Sequence, residues 1–303
     1  MIRPIAFIGN AQTAVSNYFQ NLESTSSAMD AQAHALQEFE LLVANLRAAG
    51  VWVDVIDDTL VPHTPDSIFP NNWVSFHSDG TVVLYPMLAE NRRAERRLDI
   101  IEQLSETGLI VKQMIDLTYH ESQGKFLEGT GSMVLDRVNH VAYVCVSPRT
   151  DLDVLAEFSQ RLDYELVVFN ARDAKGLPIY HTNVLMCVGA QFALICMDSI
   201  AESERFAVLE SLRRTGHEII EISPAQMHAF AGNMLELKTA SGKRVIAMSQ
   251  QAFDALSIEQ RAKLEVLGGA LIVTPIPTIE KLGGGSVRCM LAEIFLPGKA
   301  TAG

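Results

Sequence analysis

The 303-residue sequence predicts an α/β fold, a five-bladed α/β propeller forming one domain over residues 1–303. Three observations predict it. A strand, strand, helix, strand order recurs four times; the two termini together supply the parts of a fifth copy; and no Pro- or Gly-rich linker cuts the chain. Joining both ends in one unit closes a ring and leaves no free sheet edge. An open parallel sheet is the competing reading, but crossover folds do not repeatedly insert hairpins. With 48% hydrophobic residues, the chain has ample material for one large core.

Residues 73–85 (WVSFHSDGTVVLY) alternate and turn at Ser78-Asp79-Gly80, a hairpin pattern. A helical pattern over 90–106 and a strand over 109–117 complete the first unit. The second has a hairpin at 132–146, a helix at 151–162 and a strand at 164–169. The third has 182–197, 201–214 and 218–222 in the same order. The fourth turns at Ala240-Ser241-Gly242 within 234–248, then gives a helix at 258–267 and a strand at 270–274. For the fifth, 287–295 and 5–8 supply the first two strands, 31–49 the helix and 51–56 the last strand.

Composition narrows the function. A net charge of -12 excludes nucleic acid as a partner, since phosphate binding needs a basic patch. No segment reaches the ~18 apolar residues of a membrane span, and the apolar N-terminal stretch is too short for a signal peptide. Four cysteines without paired spacing suggest a reducing, cytoplasmic setting. No phosphate loop, metal-ligand spacing or dinucleotide fingerprint occurs, so neither cofactor nor metal is expected. Oligomeric state is left open, a homo-oligomer included.

The repeat also shows where chemistry gathers. Asn72, Glu128, His181, Asn233 and Cys289 stand at one phase, roughly 55 residues apart. Cys289 follows Gly283-Gly284-Gly285, a run that lets backbone approach a ligand closely. Alone it reads equally as a buried strand cysteine. With a histidine and a carboxylate at the same phase it becomes a candidate nucleophile. For Asn233, in Gly232-Asn233, a plain tight turn competes with a place at the axis.

These motifs resemble the guanidino-modifying superfamily, the penteins: arginine deiminase, dimethylarginine dimethylaminohydrolase and the glycine amidinotransferases. Gly-Gly-Gly-Ser-Val-Arg288-Cys289-Met290 is similar to the deiminase nucleophile segment. Asp66-Ser67-Ile68-Phe69-Pro70-Asn71-Asn72, Leu127-Glu128-Gly129-Thr130-Gly131 and Tyr180-His181-Thr182 resemble, in order, segments of the dimethylarginine hydrolases. The resemblance implies the five-bladed fold, Cys289 as nucleophile, His181 as acid and base, and Glu128 orienting His181 or holding substrate N–H groups. It also implies substrate contacts at Asp66, Asn71 and Asn72, with Arg93 and Arg149 on a carboxylate, while the place of Asn233 in the repeat offers it as a further contact. Arg92 is the alternative to Arg93, and capping the turn after Pro70 is the alternative for the two asparagines.

The implied partner is a small guanidino or ureido amino acid. Where the dimethylarginine hydrolases carry an acidic pair, this chain has Asn71-Asn72. An amide donates to a neutral ureido oxygen and a carboxylate cannot, which favours citrulline, cleaved to ornithine, carbon dioxide and ammonia. Hydrolysis of arginine or methylarginine and amidino transfer are the alternatives. A non-catalytic binding propeller is a further one.

Overall fold

The computed structural model describes residues 1–22 and 27–298. Among them, four three-stranded sheets share one topology: an antiparallel hairpin, then a third strand parallel to its second. They comprise Val74–Phe76, Thr81–Leu84 and Gln113–Asp116; Met133–Asp136, Val141–Cys145 and Glu165–Phe169; Met186–Val188, Phe192–Ile195 and Glu218–Glu221; and Leu235–Lys238, Arg244–Ser249 and Ala270–Thr274.

Helices between second and third strands start where their caps dictate. Asp151 accepts from the Asp153 and Val154 N–H groups to open Leu152–Leu162, and Ser257 with Gln260 forms a capping box for Ile258–Gly268. In Leu152–Leu162, Val154, Leu155 and Phe158 form the buried stripe. The parallel third strand is the geometry such a crossover helix imposes. No helix among the described residues is long and apolar enough to cross a membrane.

Three expectations need correction. The helix over 90–106 is two elements, a 3-10 segment Glu90–Glu95 and an α-helix Leu98–Glu106, divided at extended Arg96 and Arg97. The fifth sheet has two short strands, Ile2–Arg3 parallel to Ile56–Asp57, rather than strands at 5–8 and 51–56. The pairing stops at Arg3, whose carbonyl accepts the Asp58 N–H at 3.1 Å, and the chain then turns inward, with the Phe7 N–H donating to Gln32 Oε1 at 2.5 Å. Residues 287–295 are not a strand either: Val287–Met290 winds into a 3-10 turn, and the following stretch passes the first sheet, where the Ile110 N–H donates to Pro297 O at 2.8 Å.

That turn is anchored from below. Val287, Cys289 and Met290 pack in an apolar cluster with Phe39, Leu42 and Leu46 of helix Ala28–Ala48, and with Val245 and Ile272 of the fourth sheet. Each fully buried side chain of this size contributes about 1.5–3 kcal/mol.

Candidate active site

The shared sequence phase has a structural basis. Asn72 ends the 3-10 turn Pro70–Asn72, Glu128 and His181 precede the short helical turns Gly129–Ser132 and Thr182–Leu185, and Cys289 lies in Val287–Met290. Each of the first three turns leads directly into the first strand of its sheet. A cavity at these turns is walled by Asp66, Asn72, Arg92, Arg149, His181 and Cys289, with Thr13, Asn17, Phe69, Tyr180 and Gly283–Gly285 completing it.

One wall is ionic. Glu128, fully buried behind His181, accepts at Oε2 from His181 Nε2 at 2.8 Å and from Arg149 Nη1 at 3.2 Å, with Arg92 Nη1 at 4.0 Å. Burial works against its charge, but Arg149 and His181 outweigh it and hold the carboxyl far below the usual carboxylate range. A carboxylate only accepts, so His181 carries hydrogen on Nε2 and keeps Nδ1 as its basic end. Burial lowers His181 to about 4 despite the Glu128 contact, leaving the ring neutral at neutral pH. Gly131 permits this packing, since a Cβ there would lie 2.4 Å from Asn72 Nδ2 and 2.7 Å from the His181 ring.

The wall around the sulfur is neutral. The sulfur of Cys289, a residue 3% exposed, accepts from Asn233 Nδ2 at 3.3 Å and Asn183 Nδ2 at 3.4 Å. The Oδ1 atoms of both asparagines are buried without a partner. Gly284 adopts φ +64° in the loop before the cysteine, and a Cβ there would fall 2.5 Å from Asn17 Nδ2.

Several expected positions are brought together and others are not. Arg93 does not reach the cavity; its Nε donates to Met87 O at 3.1 Å and faces Glu121 at 3.5 Å. In a 3-10 segment, residues three apart share a face, so Arg92 and Glu95 turn inward together. Arg92 binds Glu95 through Nε and Nη2, both at 2.9 Å, and donates from Nη1 to Asn72 Oδ1 at 2.8 Å. Burial opposes its charge, while Glu95, Asp66 and Glu128 more than offset this and hold it protonated. Asn71 lies off the cavity wall, its Nδ2 donating to Thr130 Oγ1 at 3.3 Å. Asp66 Oδ2 accepts from Asn10 Nδ2 at 2.8 Å and Thr13 Oγ1 at 3.2 Å, while Asp66 Oδ1 and Asn72 Nδ2 are buried without partners. Arg149 lines the cavity with its guanidinium tied to Ser16 Oγ and the Thr13 carbonyl, 4.9 Å above the Tyr180 ring.

Sequence reasoning missed Asn183, Thr13, Asn17 and Tyr180. Asn183 had a signal, a polar residue two places after His181 opening an apolar run. The others meet the site only through tertiary packing.

Comparison with known proteins places this geometry. The family described as N,N dimethylarginine dimethylhydrolase, eukaryotic, matches residues 3–296. A search of curated proteins found no match. ArgZ, an arginine dihydrolase from the ornithine-ammonia cycle in cyanobacteria, superposes with a TM-score of 0.76 at 18% identity, over 99% of this chain and 41% of that one. The ArgZ N-terminal domain bound to substrate gives 0.74 at 18% identity, over 98% of each chain. A dimethylarginine dimethylaminohydrolase carrying a chloropyridine adduct gives 0.60 at 18% identity, over 86% of this chain and 90% of that one. This chain thus spans well under half of full-length ArgZ, and these likenesses show the shared pentein fold. With the match running over nearly its whole length, the chain belongs to the dimethylarginine dimethylaminohydrolase family of guanidino-modifying hydrolases.

Proposed function

We propose that the chain is a single catalytic domain, its five units closed in a ring, that hydrolyses the ureido group of citrulline to ornithine, carbon dioxide and ammonia. The observation that carries this reading is Asn72. Its Nδ2 is a buried donor without a partner, and the Arg92 hydrogen bond to Oδ1 fixes which end of the amide faces the cavity. A ureido group offers an oxygen acceptor there, whereas a guanidinium offers only N–H donors. Asp66 Oδ1, the unpartnered acceptor nearby, takes an N–H of the same group.

His181 Nδ1 removes the thiol proton and Cys289 Sγ adds to the ureido carbon, forming a tetrahedral adduct. The adduct expels ammonia, which takes the proton back from His181, and leaves an S-linked thiocarbamate. Water, deprotonated by His181, adds to that carbon and the thiolate departs. The resulting carbamate loses carbon dioxide and frees ornithine. Glu128 keeps the hydrogen on Nε2 and stabilises the imidazolium that forms. Arg149 exchanges its Ser16 and Thr13 contacts for the substrate carboxylate, a geometry its planar fork suits. Asn183 and Asn233 hold the sulfur in place.

A second reading, hydrolysis of arginine or a methylarginine, is favoured by the family match and by the acceptor at Asp66. Amidino transfer follows the same covalent path with an amine replacing water. Purified protein given citrulline, arginine and dimethylarginine, with and without glycine, decides among them. Fastest release of ornithine from citrulline supports the proposal; faster turnover of either guanidino compound rejects it. Inertness toward all three points to a binding protein.

A further inference from the structure

Buried carboxyls around the cavity are matched to cations: Glu95 and Asp66 to Arg92, and Glu128 to Arg149. Glu280 is different. It is 3% exposed, and among the described residues it forms no ion pair. It lies on helix Pro277–Gly283, just before the glycine run that leads to Cys289.

Its contacts grip that run at both ends. The Glu280 carbonyl accepts from the Gly284 N–H at 2.9 Å, and its Oε1 accepts from Ser286 Oγ at 2.6 Å. The Ser286 carbonyl in turn accepts the Cys289 N–H at 2.9 Å, closing the turn that holds the sulfur. Ser249, the last residue of strand Arg244–Ser249, stands beside the Glu280 carboxyl and favours its charged form, while its Oγ accepts from the Ala252 N–H at 3.1 Å. The charged groups nearby are Glu38 of helix Ala28–Ala48, which accepts the Thr278 and Ile279 N–H groups, and Lys281, whose side chain is exposed.

We propose that Glu280 is a positioning residue for the nucleophile: as a carboxylate it accepts from Ser286 and so fixes the turn that presents Cys289. Protonation replaces the charge-assisted Ser286–Glu280 hydrogen bond by a weaker neutral one and so loosens the turn. Burial pushes this carboxyl up to about 7, against Ser249 and Ser286 and with help from Glu38, so the change falls near neutral pH. The proposal rests on Cys289 being the nucleophile but not on which substrate it attacks.

The test reads alkylation of Cys289 by iodoacetamide, resolved on its own peptide by mass spectrometry, across the neutral pH range. Glu280→Gln is expected to slow alkylation about tenfold and to abolish the step near neutrality. Ser286→Ala, which changes no charge, is expected to move that step to higher pH because the carboxylate loses a donor. Glu280→Asp restores part of the wild-type rate. A Glu280→Gln protein with wild-type rate and profile, or a Ser286→Ala protein with the step in its original place, overturns the proposal; if Glu280→Gln fails to fold, Ser286→Ala decides alone. Citrulline turnover is measured alongside: a wild type that alkylates as expected but does not turn over citrulline refutes the substrate assignment and leaves Glu280 in its role.

Discussion

The two walls of the cavity solve different problems. On the Glu128 side, polar atoms meet opposite charge: His181, Arg149 and Arg92 converge on one carboxylate, and Glu95 and Asp66 answer Arg92. Around Cys289 the neighbours are two neutral amides whose oxygens stay unpaired. An ionic network out of water holds together only as a set, since removing one member strands the rest. Unpaired amide oxygens are valences that a ligand can fill. Damage to the first wall therefore reaches stability and rate together, and damage to the second reaches rate alone.

The largest effect tests the neutral wall. Cys289→Ser is expected to reduce turnover by about 10^4-fold or more while the thermal midpoint stays near that of the wild type. A large fall in melting temperature breaks the comparison. Next comes Glu128→Gln, expected to lower the rate by about 10^3-fold and stability by about 3–5 kcal/mol in urea titrations, because Arg149 and Arg92 lose their shared counter-charge. A variant as stable as the wild type shows that the ionic wall is not a unit. Asn183→Ala is expected to slow turnover about tenfold with stability changed by no more than about 1 kcal/mol, read from kcat and the same titrations.

The smallest effect concerns pH. His181 is lowered to about 4 and His77 to about 3, both chiefly by burial, so at these two rings the unfolded chain binds more protons than the folded one below pH 6.5, whereas the raised Glu280 and Glu95 carboxyls act in the opposite sense. The stability that these two histidines contribute is therefore complete above that value and is lost as pH drops toward 4. His181→Gln is expected to flatten this decline across the whole window from 6.5 to 4, with His77 supplying what remains; an unchanged slope in melting temperature against pH contradicts the neutral His181.

The four complete units were legible because their punctuation is local: Gly80 and Gly242 mark hairpin turns, and Asp151 and Ser257 mark helix starts. The fifth was legible in outline only. Its strands are two residues long, too short for an alternating pattern to mark. Resemblance alone does not separate Arg93 from Arg92, because the sequence pattern does not reveal the 3-10 segment in which Arg92 and Glu95 share the inward face. The phase of Glu128, His181 and Cys289 was readable because each precedes or occupies a short turn at one end of its unit. Asn71 shares Asn72's composition and turn, yet its side chain points to Thr130, and no sequence rule separates the two.

Asn17 reaches across to the carbonyls of Gly283 and Gly284, and the Tyr180 hydroxyl donates to Gly284 O at 2.6 Å. During ribosomal synthesis these early and middle segments emerge long before their glycine counterpart exists. The pocket consequently cannot mature on a nascent chain until that stretch has emerged, and prematurely terminated products lacking it lose both the thiol and the surface against which the Asn17 segment settles.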